Sequence, residues 1–213
     1  MRISEDRYSQ DLRRLELAHR LIQHEVRTQW ICAMTGLTDE RVRNLLHSYG
    51  VGSVPRHRGA PPTSCGVFFR TANHPEASAL GALARVWTLV PASPIRNARL
   101  SLPGLEWGER LCEAFEFFRA LVPGGVLSVN QFILLIFSLA EGRVVVAHCA
   151  QCQAAILIDP LEAQRLRCRV CAAPVGRRGS PRVGRAERRP EEGRVEEGRV
   201  EYRVPTGDQQ NLF

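Results

Sequence analysis

The placement of cysteine constrains this chain more than any other feature. Residues 149–171 read C-A-Q-C-Q-A-A-I-L-I-D-P-L-E-A-Q-R-L-R-C-R-V-C, two CxxC pairs separated by fifteen residues. Each CxxC turns two thiolates toward one cation, and Asp159-Pro160 in the middle of the excursion lets a short hairpin return the second pair to the first. Four soft sulfur ligands at tetrahedral reach select zinc, one ion per chain, held by Cys149, Cys152, Cys168 and Cys171. The alternatives are two disulfides or four unrelated packing cysteines. The chain begins without a secretory signal, so a cytoplasmic, reducing setting is expected, and that argues against disulfides. A catalytic zinc keeps one coordination position open for water, whereas four cysteines close the shell. The expected role of the metal is therefore structural. His148 adjoins the first cysteine, but the shell is complete without it.

The residues around the cysteines predict short strands. After Gly142 the run Arg143-Val144-Val145-Val146-Ala147 reads as a strand, and the apolar run 154–158 reads as a second. Along the return toward Cys168, Arg165, Arg167 and Arg169 alternate, so a strand there places all three on one face. That stripe is either a candidate phosphate contact or a solvated strand face.

With 213 residues, of which 44% are apolar, the chain can bury a sizeable core. Its longest apolar run, 132–140, is far short of the ~20 residues needed to span a bilayer. The net charge of +7 points to a polyanionic partner, yet it divides as +1, +3, +1 and +2 over residues 1–50, 51–140, 141–175 and 176–213. No segment is a concentrated basic patch, so nucleic-acid affinity has to come from local arginine placement or from several subunits adding their fields. All 29 basic residues are arginine, which leaves every cation able to make forked contacts with phosphate or guanine.

Residues 11–26 repeat apolar side chains at Leu12, Leu15, Ala18, Leu21, Ile22 and Val26, the spacing of an amphipathic helix. His24-Glu25 starts like a zinc-protease motif, but Thr28 stands where a second histidine belongs. Residues 28–47, T-Q-W-I-C-A-M-T-G-L-T-D-E-R-V-R-N-L-L-H, resemble a helix-turn-helix with Gly36 in the turn. Thr38 is a good N-cap, and Asp39 and Glu40 follow it at the positive end of the helix dipole. If Val42, Leu45, Leu46 and Tyr49 face inward, Arg41, Arg43, Asn44 and His47 face outward, where arginine and asparagine suit guanine and adenine edges. An ordinary helical hairpin with a polar outer face satisfies the same pattern.

Residues 51–66 form a proline-rich linker or a basic arm. Helices are expected from His74 and from Leu105, the latter with an aromatic stripe. Ser128 with Gln131 predicts a capping box that opens the almost wholly apolar helix 132–140, which must be buried in a core or against another chain. Cys32, Cys65 and Cys112 read as packing residues. The tail carries the near-repeat E-E-G-R-V twice and is expected to be disordered. The predicted class is mainly α. It comprises a helical unit with a helix-turn-helix (1–50), the linker (51–66), a helical core and partner-binding region (67–140), a four-cysteine zinc-binding region with short strands (141–175) and a disordered tail (176–213).

These parts together resemble the flagellar transcriptional activator FlhC family over about residues 10–175. The resemblance rests on T-G-L-x-x-x-R-V-x-x-L from Thr35, on G-A-P-P-T-S from Gly59, on Phe68-Phe69 with Asn73-His74 after it, and above all on the metal cysteines. It implies one zinc on those four cysteines and action with FlhD-type subunits in a heterohexamer. It also implies binding to double-stranded promoter DNA upstream of flagellar operons and recruitment of RNA polymerase. Two other readings remain: a divergent regulator of non-flagellar genes, and a zinc-stabilised adaptor that binds only protein through the apolar helix 132–140. A zinc deaminase needs H-x-E ahead of P-C-x-x-C, and neither is present. No nucleophile–base pair or phosphate-binding glycine loop stands out, so an enzyme is not expected.

Overall fold

A computed structural model describes residues 2–49, 63–162 and 166–172, leaving out the side chains of residues 2–6 and 49. Most of the proline-rich linker, Arg165 and the tail 176–213 lie outside the described residues.

The most apolar stretch of the sequence forms the centre of the molecule. Helix α8, Val129–Ala140, begins with the expected capping box. Gln131 N–H donates to Ser128 Oγ at 3.3 Å, and Ser128 N–H donates to Gln131 Oε1 at 2.8 Å. From Phe132 to Ala140 every side chain is buried within this same chain. A surface for a partner on 132–140, as the adaptor reading requires, is therefore excluded. The reason is simple: a helix apolar on all sides gains most when surrounded, and this chain has enough helices to surround it.

Those helices are α1 (Arg2–Gln23), α2 (Thr28–Thr35), α5 (His74–Val86) and α7 (Leu105–Leu121). Trp30 of α2 and Trp107 of α7 both pack on Phe137, with ring centroids 5.0 and 5.9 Å away. Phe115 of α7 stacks on Phe132. Helix α1 buries Leu17, Ala18, Leu21 and Ile22, but Leu12, counted in the same stripe, is 46% exposed. Only the C-terminal part of α1 thus faces the core. Its outer arginines reach α7 instead: Arg13 pairs with Glu109, and Arg20 with Glu116 at 2.8 Å.

The α1–α2 corner holds Glu25 at φ 56°, and Asn130 of α8 satisfies it. Asn130 Nδ2 donates to Glu25 O at 2.9 Å, and its Oδ1 accepts from Arg27 N–H at 3.2 Å. One buried side chain thus serves two part-buried backbone groups of the corner.

Helix α3 (Asp39–Tyr49) follows α2 after a turn at Gly36, whose φ of 70° is left-handed and costs glycine nothing. Thr38 Oγ1 accepts from Arg41 N–H at 3.3 Å, the expected N-cap. Two short helices, α4 (Gly66–Phe69) and α6 (Ala98–Ser101), close gaps in the core. Phe68 is fully buried, which accounts for the apolar run seen there in the sequence.

After α8 the chain forms strands β1 (Val145–His148) and β2 (Ala155–Ile158), an antiparallel pair in the register Val145↔Ile158 to His148↔Ala155. The hairpin lies against α5. Val144, Val146 and Leu157 join the same hydrophobic core as α8, so the strands continue the helical core. The last described element is the single-turn helix α9, Arg169–Ala172.

Candidate metal centre

The first CxxC is the loop of the β1–β2 hairpin. Cys149 N–H donates to Ala154 O, and Gln153 N–H donates to Cys149 O, both at 2.9 Å, with Gln153 at φ 60°. This tight turn brings Cys149 and Cys152 to one side. The second pair comes alongside through Ala150 N–H, which donates to Leu166 O at 2.7 Å. Cys168 then precedes α9, and Cys171 lies within that helix.

The four Sγ atoms lie within 4.8 Å of one another. A tetrahedral metal with metal–sulfur bonds of about 2.3 Å requires sulfurs about 3.8 Å apart, so the four are close enough to hold one ion. Cys152 Sγ and Cys168 Sγ, from different pairs, are 3.5 Å apart. That is far beyond a disulfide's ~2.05 Å, and all four are free cysteines. The backbone donates to the sulfurs as well: Cys168 N–H to Cys149 Sγ at 3.3 Å, and Cys171 N–H to Cys168 Sγ at 3.4 Å. The N–H of Cys168, followed by those of Cys152 and Gln151, holds the Cys149 thiol down at about 6. The hydrogen bond with Cys168 is the main cause that pushes Cys171 up to about 12. Four sulfurs that share their protons and accept N–H bonds form a site that a soft cation can fill.

Cys149 is buried, Cys152 is exposed, and Cys168 and Cys171 are intermediate. The centre thus has one rooted ligand and one open side. His148 is exposed and lies outside the cysteine group.

The expected return strand is not formed at residues 166–168, and Arg169 belongs to α9. A strand cannot supply the turn that aims Cys171 N–H at Cys168 Sγ, so the local demand of the second CxxC prevails over the alternating pattern. Arg167 and Arg169 do not share a strand face. The Arg169 guanidinium donates to Thr71 O, in the segment leading into α5.

The other candidate surface is the outer face of α3. Arg41, Arg43, Asn44 and His47 lie on it, while Val42 is fully buried and Leu45 and Leu46 pack partly against the core. Arg43 forms an ion pair with Asp39 one turn earlier. The structure brings these four residues together but does not join them to the cysteine centre.

Three residues of α5 hold the hairpin that carries the first CxxC, and of these the sequence pattern marks only His74, as a helix start and in the Asn73-His74 pair. His74, Ser78 and Gly81 lie along one face of α5, at the helical spacing i, i+4, i+7. His74 Nε2 lies 2.8 Å from Leu157 O, and Ser78 Oγ accepts from Leu157 N–H at 3.0 Å. A Cβ at Gly81 would stand 3.0 Å from Val146 Cγ2, so even an alanine there requires the Val146 side chain to give by a few tenths of an ångström. The only available signal was a polar pair and a glycine on a helix otherwise made for a core.

No helix among the described residues is long and apolar enough to cross a membrane. No protein-family model matches the chain, and no curated protein matches it.

Proposed function

We propose that the protein is a cytoplasmic DNA-binding transcriptional activator of the FlhC type. In this reading it acts with FlhD-type subunits in a heterohexamer on flagellar promoter DNA and recruits RNA polymerase. One zinc ion on Cys149, Cys152, Cys168 and Cys171 has a structural role, because thiolates saturate its coordination. The observation that carries the reading is the outer face of α3, which presents Arg41, Arg43, Asn44 and His47 while Val42 anchors the helix. Arginine recognises guanine through O6 and N7, and asparagine recognises adenine through N6 and N7. The exposed Asp39–Arg43 pair is weak enough to exchange for a phosphate or a base edge. A divergent regulator of non-flagellar genes uses the same chemistry on other promoters.

The test is filter binding of the purified protein with its partner subunit to operator and random duplexes over a range of salt. Operator preference is expected, with affinity falling steeply as salt rises. Replacing Arg41 and Arg43 together by alanine is expected to weaken operator binding at least about tenfold, from the discrimination of a single bidentate contact. Equal binding to random duplex at moderate salt ends the activator reading.

A second reading, an adaptor that binds protein alone through a surface other than 132–140, is favoured by one observation. Trp87 and Phe117 form a tilted ring pair with centroids 5.2 Å apart, and Phe117, Val86 and Leu121 are exposed. It requires that the double arginine variant keep full promoter output at unchanged partner binding.

A further inference from the structure

The two CxxC pairs are both tied to one short segment, residues 71–78, although the nearest of their four cysteines is over seventy residues further along the chain. The first pair is tied through β2. In an antiparallel ladder, alternate residues turn both backbone groups away from the partner strand. Leu157 directs its N–H and C=O toward α5, where Ser78 Oγ and His74 Nε2 take them at 3.0 and 2.8 Å. Ser78 also donates to His74 O at 2.7 Å, which fixes its hydroxyl hydrogen and leaves a lone pair for Leu157 N–H. The second pair is tied through Arg169, which donates to Thr71 O.

We propose that His74 and Ser78 are positioning residues for the metal centre, holding β2 so that the thiolate cage is formed before the ion arrives. This rests on the reading of the four cysteines as a zinc site. The chain of contacts is continuous. His74 and Ser78 hold Leu157; β2 then places Ala155 opposite His148; and Ala154 O accepts from Cys149 N–H, which orients the one buried ligand. Without the clamp, β2 is an edge strand of a two-stranded sheet with unsatisfied groups at a fully buried position, and such a hairpin is marginal by itself. Metal binding then has to order the hairpin as well as close the cage, and the cost appears as lost affinity. Supporting groups behind metal ligands typically account for about 10–100-fold in affinity.

The experiment uses the full chain with zinc as the probe, competed against a metallochromic chelator. His74→Ala is expected to bind zinc about tenfold more weakly. Its unfolding midpoint in excess chelator should fall, because Leu157 O loses its partner at a buried position of the shared core. Amide exchange in β2 of the metal-free variant should be faster. His74→Gln, whose side-chain amide can donate to Leu157 O, is expected to restore affinity and protection. The proposal is overturned by unchanged affinity in His74→Ala, by a loss that His74→Gln does not recover, or by equal amide exchange in β2 of the two metal-free proteins. If the unchanged protein takes up no zinc, the metal reading fails together with it; if it binds zinc and the variants do not differ, only the clamp fails.

Discussion

Glu116 accepts from two side chains of α1, Arg20 Nη2 at 2.8 Å and His24 Nε2 at 3.0 Å. Partial burial by itself would raise its carboxyl, but the hydrogen bonds from Arg20 and His24 outweigh that and hold it below its ordinary value. A carboxylate with a depressed folded-state pKa contributes stability above its unfolded value, and that contribution is lost as pH falls through the folded value. Its side chain is 42% exposed, so solvent screening keeps the contribution small. Glu116→Gln is therefore expected to lower stability by about 0.5–1 kcal/mol at pH 7 in urea titrations, and to change it little once the pH falls below the depressed value. A loss of the same size at both ends of that range shows that packing, rather than charge, accounts for the residue. Cysteine identity matters at the same scale. Cys149→Ser and Cys152→Ser both remove a ligand, but Cys149 is buried and Cys152 exposed. Both are expected to reduce bound zinc measured by mass spectrometry under native conditions, and the buried substitution should also lower the hairpin's amide protection.

Among the elements, α8 shows what was legible in the sequence and what was not. The capping box at Ser128 and the burial of 132–140 follow from local pattern, because both are decided within one helix. The role of Asn130 does not, because its partners Glu25 and Arg27 lie over a hundred residues away. Replacing Asn130 by alanine removes two hydrogen bonds, at about 1 kcal/mol each, and is expected to cost about 2 kcal/mol, more than the ~1 kcal/mol for Ser128→Ala at the cap. Chemical denaturation of the two variants side by side checks the order. The same contrast applies at the metal. The cysteine spacing revealed the cage, and the apolar runs revealed both strands. The return leg was misread, because alternation of arginines over 165–169 mimics a strand while the second CxxC requires a turn and the helix α9. The seat on α5 was invisible for another reason: His74, Ser78 and Gly81 have meaning only once β2 lies against them. On α3, the cap at Thr38 and the outward residues could be read from helix geometry, whereas the nucleic acid they are proposed to meet could not.

At the scale of the molecule, the cysteine centre is an outgrowth of the helical core, with Val146 and Leu157 buried in the same cluster as Phe132 and Leu111. Small domains whose fold depends on zinc unfold without it, because their apolar surface is too small to hold them together. Here β1 and β2 retain apolar contacts and the clamp to α5 whether or not an ion is bound, while residues 166–172 have mainly the sulfurs, Ala150 and the Arg169–Thr71 contact to hold them. Stripping zinc is therefore expected to divide the region. Far-ultraviolet circular dichroism should keep nearly all of its helical signal, because α1, α2, α5, α7 and α8 share a core that contains none of the four cysteines of the centre. Amide exchange should stay slow at Val146 and Leu157 and become fast at residues 166–172. A global loss of helix on chelation makes the metal a folding requirement for the whole chain and contradicts this division. No change in exchange at 166–172 shows that the second CxxC does not need an ion to hold its turn, and the structural role proposed for zinc then fails.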